Sequence, residues 1–164
     1  MEPYADAPAW AAALEASRLG MLMRASFVLY PVANLGHVLG LVVFAGGVVV
    51  LDLRLLGAWR GRIDAAALAA ALAPLLIAGF LLMAATGMLL LSADARPLTA
   101  NPGFQAKAIL LALALANAIL FRRLWRRHLP SWDATAPRAA RLQVAASLAL
   151  WLMVAAAGRL IGYL

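Results

Sequence analysis

The chain has 164 residues, of which 66% are apolar and only 13% are charged, and its mean hydropathy is +0.90. Soluble domains carry roughly 25% charged residues, so this composition excludes an ordinary soluble domain and indicates an integral membrane protein. The chain has no cysteine, which excludes disulfides, thiolate metal sites and iron–sulfur clusters. The formal charge of +7 does not indicate nucleic acid binding, because most arginines lie in short loops between apolar runs.

Residues 1–25 are predicted to form an interfacial segment. Apolar residues alternate there with Glu15, Arg18 and Arg24, which predicts a short amphipathic helix lying in the membrane interface. The opening MEPYADAPAW is acidic and has no basic region before an apolar one, so we expect no cleavable signal peptide. We therefore assign membrane insertion to the first spanning helix.

Residues 26–164 are predicted to form a single transmembrane domain. Four apolar runs are long enough to cross a hydrocarbon core, which needs about 20 helical residues, and backbone groups in lipid must be bonded internally. We place the spans at residues 26–51, 65–92, 102–124 and 139–163. The predicted fold is an all-α integral membrane four-helix bundle with a short N-terminal amphipathic helix.

The distribution of basic residues predicts the orientation. Nine of the 14 basic residues lie in the first and third loops, and five lie in the N-terminal segment, the second loop and the opposite helix ends. Since cytoplasmic loops carry the excess of Lys and Arg, the first and third loops are expected to face the cytoplasm and both termini to face outward.

His37 is an ionisable residue inside an apolar run. Counted at 1.5 Å per residue from Ser26, it lies about 15 Å deep, close to the bilayer midplane. Gly40, Phe44 and Gly47 follow at helical spacing, so this face is expected to pack against another helix. Two interpretations stay open: a neutral histidine hydrogen-bonded to a neighbouring helix, and a metal ligand, haem ligand or proton relay.

Two methionines are predicted to lie near the depth of His37. They are Met83 in the second span and Met153 in the fourth. A histidine with thioethers suits Cu(I) and also haem iron, although methionine is a common filler of apolar cores. The only other histidine, His128, lies in a basic loop at the other side of the membrane and cannot share one iron with His37.

Lys107 and Arg159 are predicted near the outward ends of their spans, with Asn34 at a similar depth. This group could receive an anion, a haem propionate or a quinone carbonyl, or its charges could snorkel to the headgroups. Asn117 continues the face of Lys107 as a second buried polar residue. We treat the first three residues as a candidate cofactor-binding group.

Asp52 and Arg54 lie two residues apart at the inner end of the first span, and therefore on different sides of the helix. We expect structural roles for both and for Asn117, with Asp52 bonding an arginine or capping the span. The sequence contains no paired carboxylates, phosphate-binding loop or His-Glu motif, so we expect no enzyme activity.

Four stretches carry a resemblance to a known family: YPVANLGHVLGLVVFAGGVVVLDLRLLG, ATGMLLLSADA, NPGFQAKAILLALALANAILFR and SLALWLMVAAAGRLIGYL. Together they resemble a group of uncharacterised bacterial four-helix membrane proteins, the DUF6644 type, which is distantly similar to the copper resistance protein CopD. The resemblance implies an inner-membrane protein with a role in copper handling or membrane redox chemistry. By position, the pattern falls on His37, Asp52, Arg54, Lys107 and Arg159, and this chain has Arg122 where the group often carries a histidine.

These observations lead to one leading functional hypothesis and two alternatives. The first is a small inner-membrane protein that handles copper through His37, Met83 and Met153. The second is a membrane-anchor or electron-transfer subunit that binds haem b or quinone in a larger complex, and the third is a purely structural accessory subunit. The expected partners are the lipid bilayer and other membrane or periplasmic subunits, without nucleic acid.

Overall fold

The computed structural model describes Tyr4 and residues 7–161, and it contains no β-strand within them. The predicted all-α class is confirmed. Residues 1–3, 5 and 6 of the predicted interfacial segment lie outside the described residues, as do residues 162–164, which include the end of the fourth predicted span. The α-helices are α1 (Ala9–Ala16), α2 (Arg18–Ala25), α3 (Leu29–Leu56), α4 (Ala65–Ala93), α5 (Ala95–Ala100), α6 (Pro102–Trp125), α7 (Trp132–Thr135) and α8 (Arg138–Leu160). A 3-10 segment, Arg126–Ser131, joins α6 to α7.

Side-chain caps set the starts of the long helices α4 and α6. The Asp64 carboxylate accepts from the backbone N–H of Ala67 at 2.7 Å, and the Asn101 side chain accepts from the N–H groups of Gly103 and Phe104. Pro102, which has no N–H to leave unpaired, occupies the first position of α6. These caps satisfy amide groups that a helix cannot bond internally, so each helix begins directly after its capping residue.

Helix α3 is longer at its C-terminal end than the predicted first span. It continues through Asp52 and Arg54 and ends at Gly57, whose φ of +121° suits a residue without a Cβ. We define the arginine-rich end of the molecule as residues 52–64, which include the α3–α4 loop, together with residues 122–141. The last turn of α3 therefore belongs to this end.

The four long helices share one apolar core. Helix α3 packs against α4 and α8, and α8 packs against α6. At the centre, the Phe44 ring lies 4.6 Å from the Trp151 ring in an edge-on arrangement and 5.5 Å from the Phe80 ring. Met83 and Ala114 complete this cluster, so all four helices contribute to it.

The outer faces of the long helices expose large apolar side chains. Val42, Leu81, Ile109 and Leu152 are examples, one from each long helix. Each long helix is also long and apolar enough to cross a membrane. Exposed apolar surface on this scale would be unfavourable in water and suits a hydrocarbon environment.

The two N-terminal helices pack against the end of the bundle opposite to the arginine-rich end. Instead of the single predicted amphipathic helix, the segment forms α1 and α2, because the Ser17 hydroxyl caps α2 at the backbone N–H of Gly20. The Glu15 carboxylate accepts from the backbone N–H of Arg96 at 2.9 Å and from its guanidinium. These bonds to Arg96 hold the pKa of the Glu15 carboxyl below its ordinary value.

Candidate functional site

The face of α3 that carries His37 packs against α4, as its small residues predict. A Cβ added to Gly40 would lie 2.8 Å from the backbone nitrogen of Met83 and 2.9 Å from the carbonyl oxygen of Gly79. A Cβ added to Gly79 would lie 2.9 Å from the backbone nitrogen of Phe44. Because the two backbones are almost in contact here, the depth of His37 relative to α4 is fixed.

The imidazole of His37 is bonded to the backbone of α4. Its Nδ1 lies 2.9 Å from the Met83 carbonyl oxygen, while the Thr86 hydroxyl lies 3.4 Å from the same nitrogen and donates to the Leu82 carbonyl. Since a carbonyl can only accept, we assign the proton to Nδ1. Nε2 then carries a lone pair that is available to a metal or to a hydroxyl donor.

Gly87 provides the space for the imidazole. A Cβ at this position would lie 3.1 Å from the His37 Cε1 atom and 3.3 Å from Nδ1. The ring therefore lies directly over the backbone of α4, and a larger residue at this position would push against it. The half-buried ring is held by one hydrogen bond and one close packing contact.

Lys107 brings a positive charge to the same region. Its side chain passes over Gly158 of α8, where an added Cβ would lie 3.3 Å from Nζ and 3.4 Å from Cε. The ammonium group is near enough to His37 for the two to interact electrostatically. Within the described residues, Lys107 has no hydrogen bond and no ion pair. The half-buried ammonium thus has free donor capacity within electrostatic range of the imidazole.

The structure brings only part of the predicted metal group together. Met83 is 8% exposed, packs in the central core and belongs to the α4 turn that His37 contacts. Met153 is 45% exposed, and its neighbours Trp151 and Val154 occupy the buried side of α8 instead. Among the described residues, no three side chains of the His, Cys, Asp or Glu type lie close enough together to hold a metal ion.

The predicted cofactor-binding group is also only partly assembled. Lys107 lies near His37, whereas Asn34 is exposed on the surface of α3. Arg159 is exposed near the end of α8. The structure brings His37 into contact with Thr86 and Gly87 of α4. Lys107 lies over Gly158 of α8, within electrostatic range of His37.

Arg54 has a structural role of the kind the sequence predicts, with a partner that the sequence did not indicate. Only 1% of its side chain is exposed, and its guanidinium donates two bonds to the Asp133 carboxylate, at 2.8 and 3.0 Å. Its Nε donates to the carbonyl oxygen of Ile63 at 2.6 Å, and Arg60 also pairs with Asp133. This cluster ties the end of α3 to α7 and to the α3–α4 loop.

The Asp52 side chain is 6% exposed and faces the interior of the bundle. It interacts with the Ser147 hydroxyl, and no hydrogen bond reaches its Oδ2 atom from the described residues. Within the described part of the chain, Asp52 makes no bond to an arginine, and the neighbouring Arg54 is directed toward Asp133 instead.

Asn117 joins α6 to α8 by a reciprocal pair of bonds. Its amide donates to the Gln143 carbonyl oxygen at 3.3 Å, and the Gln143 amide donates to the Asn117 carbonyl oxygen at 3.1 Å. Trp125 donates to the Gln143 side-chain oxygen at 2.7 Å. The sequence reasoning singled out Asn117 but missed Gln143, Asp133, Gly87 and Gly158. Only Gly87 carried a signal, since it follows Gly79 by eight residues on the same face of α4.

Comparison with known proteins identifies a family and gives no further relatives. Neither the curated proteins nor the solved structures include a match to the chain. The model of a family of unknown function, DUF6644, matches residues 10–164. This match covers all four long helices and the site around His37. The chain belongs to the DUF6644 family.

Proposed function

We propose that this protein is a membrane-anchor subunit that binds the polar head of a quinone between His37 and Lys107. The observation that carries the proposal is the division of hydrogen-bonding roles at the site. The His37 Nδ1 is committed to the Met83 carbonyl, which leaves Nε2 as an acceptor, and the nearby ammonium of Lys107 supplies a donor. The Nε2 acceptor matches a hydroxyl group of the reduced quinol form, and the cationic donor matches the oxygen on the other side of the same ring.

The surroundings of the site support a lipid-soluble ligand. The polar groups lie among apolar helices whose outer faces expose large aliphatic side chains, so an isoprenoid tail has apolar surface to follow. An intramembrane lysine and histidine are expensive to bury and are favoured where they contact a polar ligand. The proposal concerns binding, and electrons reach the quinone from another subunit of the complex.

Binding of a short-chain ubiquinol, kept reduced under anaerobic conditions, to the detergent-solubilised protein tests the proposal. His37→Phe removes Nε2 but keeps a ring over Gly87. We expect this variant to bind at least about tenfold more weakly, because it loses one hydrogen bond to a buried group. Lys107→Met, which keeps the apolar part of the side chain, should do the same. The matched control is His128→Phe, which removes the loop histidine. Unchanged affinity in a folded His37→Phe protein contradicts the proposal.

Haem b is an alternative ligand for a membrane-anchor subunit of this kind. The same protein preparation tests whether haem binds. A Soret band in protein expressed with added haem, lost in His37→Phe and kept in His128→Phe, identifies His37 as an axial ligand. A preparation without a Soret band that binds ubiquinol assigns the site to the quinol. If neither ligand binds, the structural accessory role is favoured.

Copper handling is a separate candidate, and the contact between His37 and the Met83 turn favours it. An imidazole and a thioether suit Cu(I). The positive charge of Lys107 opposes a cation at this position. On this hypothesis, Cu(I) titration should show weaker binding in His37→Phe and Met83→Leu, and unchanged binding in the control Met153→Leu. Equal binding of Cu(I) by the wild type and these three variants excludes a copper site at His37 and Met83.

The orientation of the protein is part of the proposal. We place it in a bacterial inner membrane with the arginine-rich end in the cytoplasm, because most of the basic residues lie there. The chain has no cysteine, so single cysteines can report the topology. In intact cells, a membrane-impermeant maleimide should label Ala7→Cys and should label Ser131→Cys only after the cells are opened. The reverse pattern contradicts this orientation.

A further inference from the structure

We infer that four arginines at the end of α6 form a binding site for the phosphate-bearing headgroup of an anionic phospholipid. Arg122, Arg123, Arg126 and Arg127 line a groove of about 400 Å³ together with Ile119. No acidic side chain contributes to this lining. The groove is therefore a strongly positive concavity in a protein whose other surfaces are mostly apolar.

Helix geometry explains why the four side chains converge. They occupy two adjacent pairs, three and four residues apart, so that they share one side of a helix. Helix α6 ends at Trp125, and the 3-10 segment continues directly from Arg126 with helical backbone angles. The second pair thus stays on the side of the first. The carbonyl end of α6 partly offsets the concentrated positive charge.

Among the described residues, the four arginines have no side-chain partner, unlike Arg54 and Arg60 at the same end. All four are exposed, and within the described residues none of them makes a hydrogen bond or an ion pair. By contrast, Arg54 and Arg60 both pair with Asp133. Four like charges on one helix face repel one another, and an anion that bridges them removes this repulsion.

The position of the groove identifies the anion as part of a lipid. Ile119, Leu120 and Leu124 lie on or beside the groove and are all about half exposed, with Ile119 at 54%. The apolar surface of a membrane-spanning helix thus continues directly into the positive groove. A phospholipid matches both the positive groove and the apolar surface beside it. Its phosphate oxygens pair with the guanidinium groups, and its acyl chains lie along α6. A soluble phosphate would leave the apolar part uncovered.

The inference is tested by native mass spectrometry of the delipidated protein in neutral detergent, titrated with phosphatidylglycerol or phosphatidylcholine. We expect tighter binding of phosphatidylglycerol. Each arginine near a lipid surface contributes roughly fivefold in affinity, so the double variant Arg123→Gln/Arg127→Gln should weaken binding about 30-fold. The control Arg62→Gln/Arg138→Gln removes the same charge from the same end outside the groove, and its affinity should change less than about fivefold, the contribution of one arginine.

Three results overturn the inference. The first is equal binding of phosphatidylcholine and phosphatidylglycerol, which excludes recognition of the headgroup charge. The second is an equal loss of affinity in the groove and control variants, which assigns the effect to net charge. The third is displacement of phosphatidylglycerol by inorganic phosphate at equal concentration, which assigns the groove to a soluble anion. The second double variant, Arg122→Gln/Arg126→Gln, repeats the measurement if the first does not fold.

Discussion

Substitution of Gly40 by alanine tests whether the close approach of α3 and α4 holds the bundle and the His37 site in place. The added Cβ would lie 2.8 Å from the backbone nitrogen of Met83, whereas ordinary contacts begin at 3.4 Å. The obstructing atoms include backbone atoms of Met83 and Gly79, which cannot rotate away as a side chain could. The two helices must therefore separate by about 0.6 Å at their closest point.

This separation sets the expected loss of stability. Overpacking a tight interface typically costs 1–3 kcal/mol, so we expect Gly40→Ala to lower the free energy of unfolding by about 2 kcal/mol. Gly46→Ala is the matched control on the same helix, since no atom lies within 4 Å of its added Cβ. It should be neutral or should gain at most about 1 kcal/mol from helix propensity.

Unfolding by sodium dodecyl sulfate in mixed micelles, followed by circular dichroism, measures both variants under one set of conditions. We expect the unfolding midpoint of Gly40→Ala to fall clearly below that of the wild type and of Gly46→Ala. Ubiquinol binding at His37, one turn away, should weaken in Gly40→Ala alone. Equal midpoints for the two variants would refute the view that this crossing has no room for a methyl group.

Three further predictions concern the ends of the bundle. Trp132→Phe removes the 2.7 Å bond from the indole to the Leu55 carbonyl, and should lower the free energy of unfolding by about 1–3 kcal/mol in the same assay. Gln143→Leu removes the two bonds that the Gln143 side chain makes from α8 to Trp125 and Asn117 of α6, and should also destabilise the protein by about 1–3 kcal/mol; a neutral effect would contradict this. Arg96 lowers the pKa of Glu15, so their contact stabilises the folded protein fully at pH values above the ordinary carboxyl pKa. This stabilisation is lost as the pH falls through the lowered pKa and the carboxylate is protonated. Protease cleavage of α1 should therefore increase in acid, and Glu15→Gln should show increased cleavage at neutral pH with no further acid dependence.

The sequence predicted the first residues of the long helices well where a capping residue or a proline precedes the helix. The second, third and fourth predicted spans begin at or within one residue of α4, α6 and α8, because Asp64, Asn101 and Pro137 precede them. These residues act on the backbone within a few positions, so their effect can be read without the fold. The apolar composition of each span also indicated its environment.

The first span shows where such local reasoning fails. It was predicted to end at residue 51, before the charged Asp52 and Arg54, but α3 continues to Leu56. The charges do not end the helix, because Arg54 is bonded to Asp133, which lies 79 residues later in the chain. A partner this distant leaves no periodic or spacing signal near Arg54.

The candidate site was predictable only where its residues carry a local sequence pattern. A histidine in an apolar run and glycines on its face were visible in the sequence, and they indicated helix packing. The Met83 carbonyl that fixes the tautomer of His37, and the path of Lys107 over Gly158, depend on how separate helices align. The number of residues from the end of the span predicts the depth of Met153, but it does not predict that the Met153 side chain faces outward.

The bond between Arg54 and Asp133 has a consequence for the order of events during synthesis. Chains are made at 5–20 residues per second, so the 79 residues between the two partners correspond to roughly 4–16 s of translation. During this interval, the first two long helices are already available for insertion, while Arg54 still has water or lipid phosphate as its partner. The first helix can settle to its final depth only after α7 has left the ribosome. A ribosome-bound chain that stops before Asp133 should therefore hold the end of α3 more exposed to water than the finished protein does.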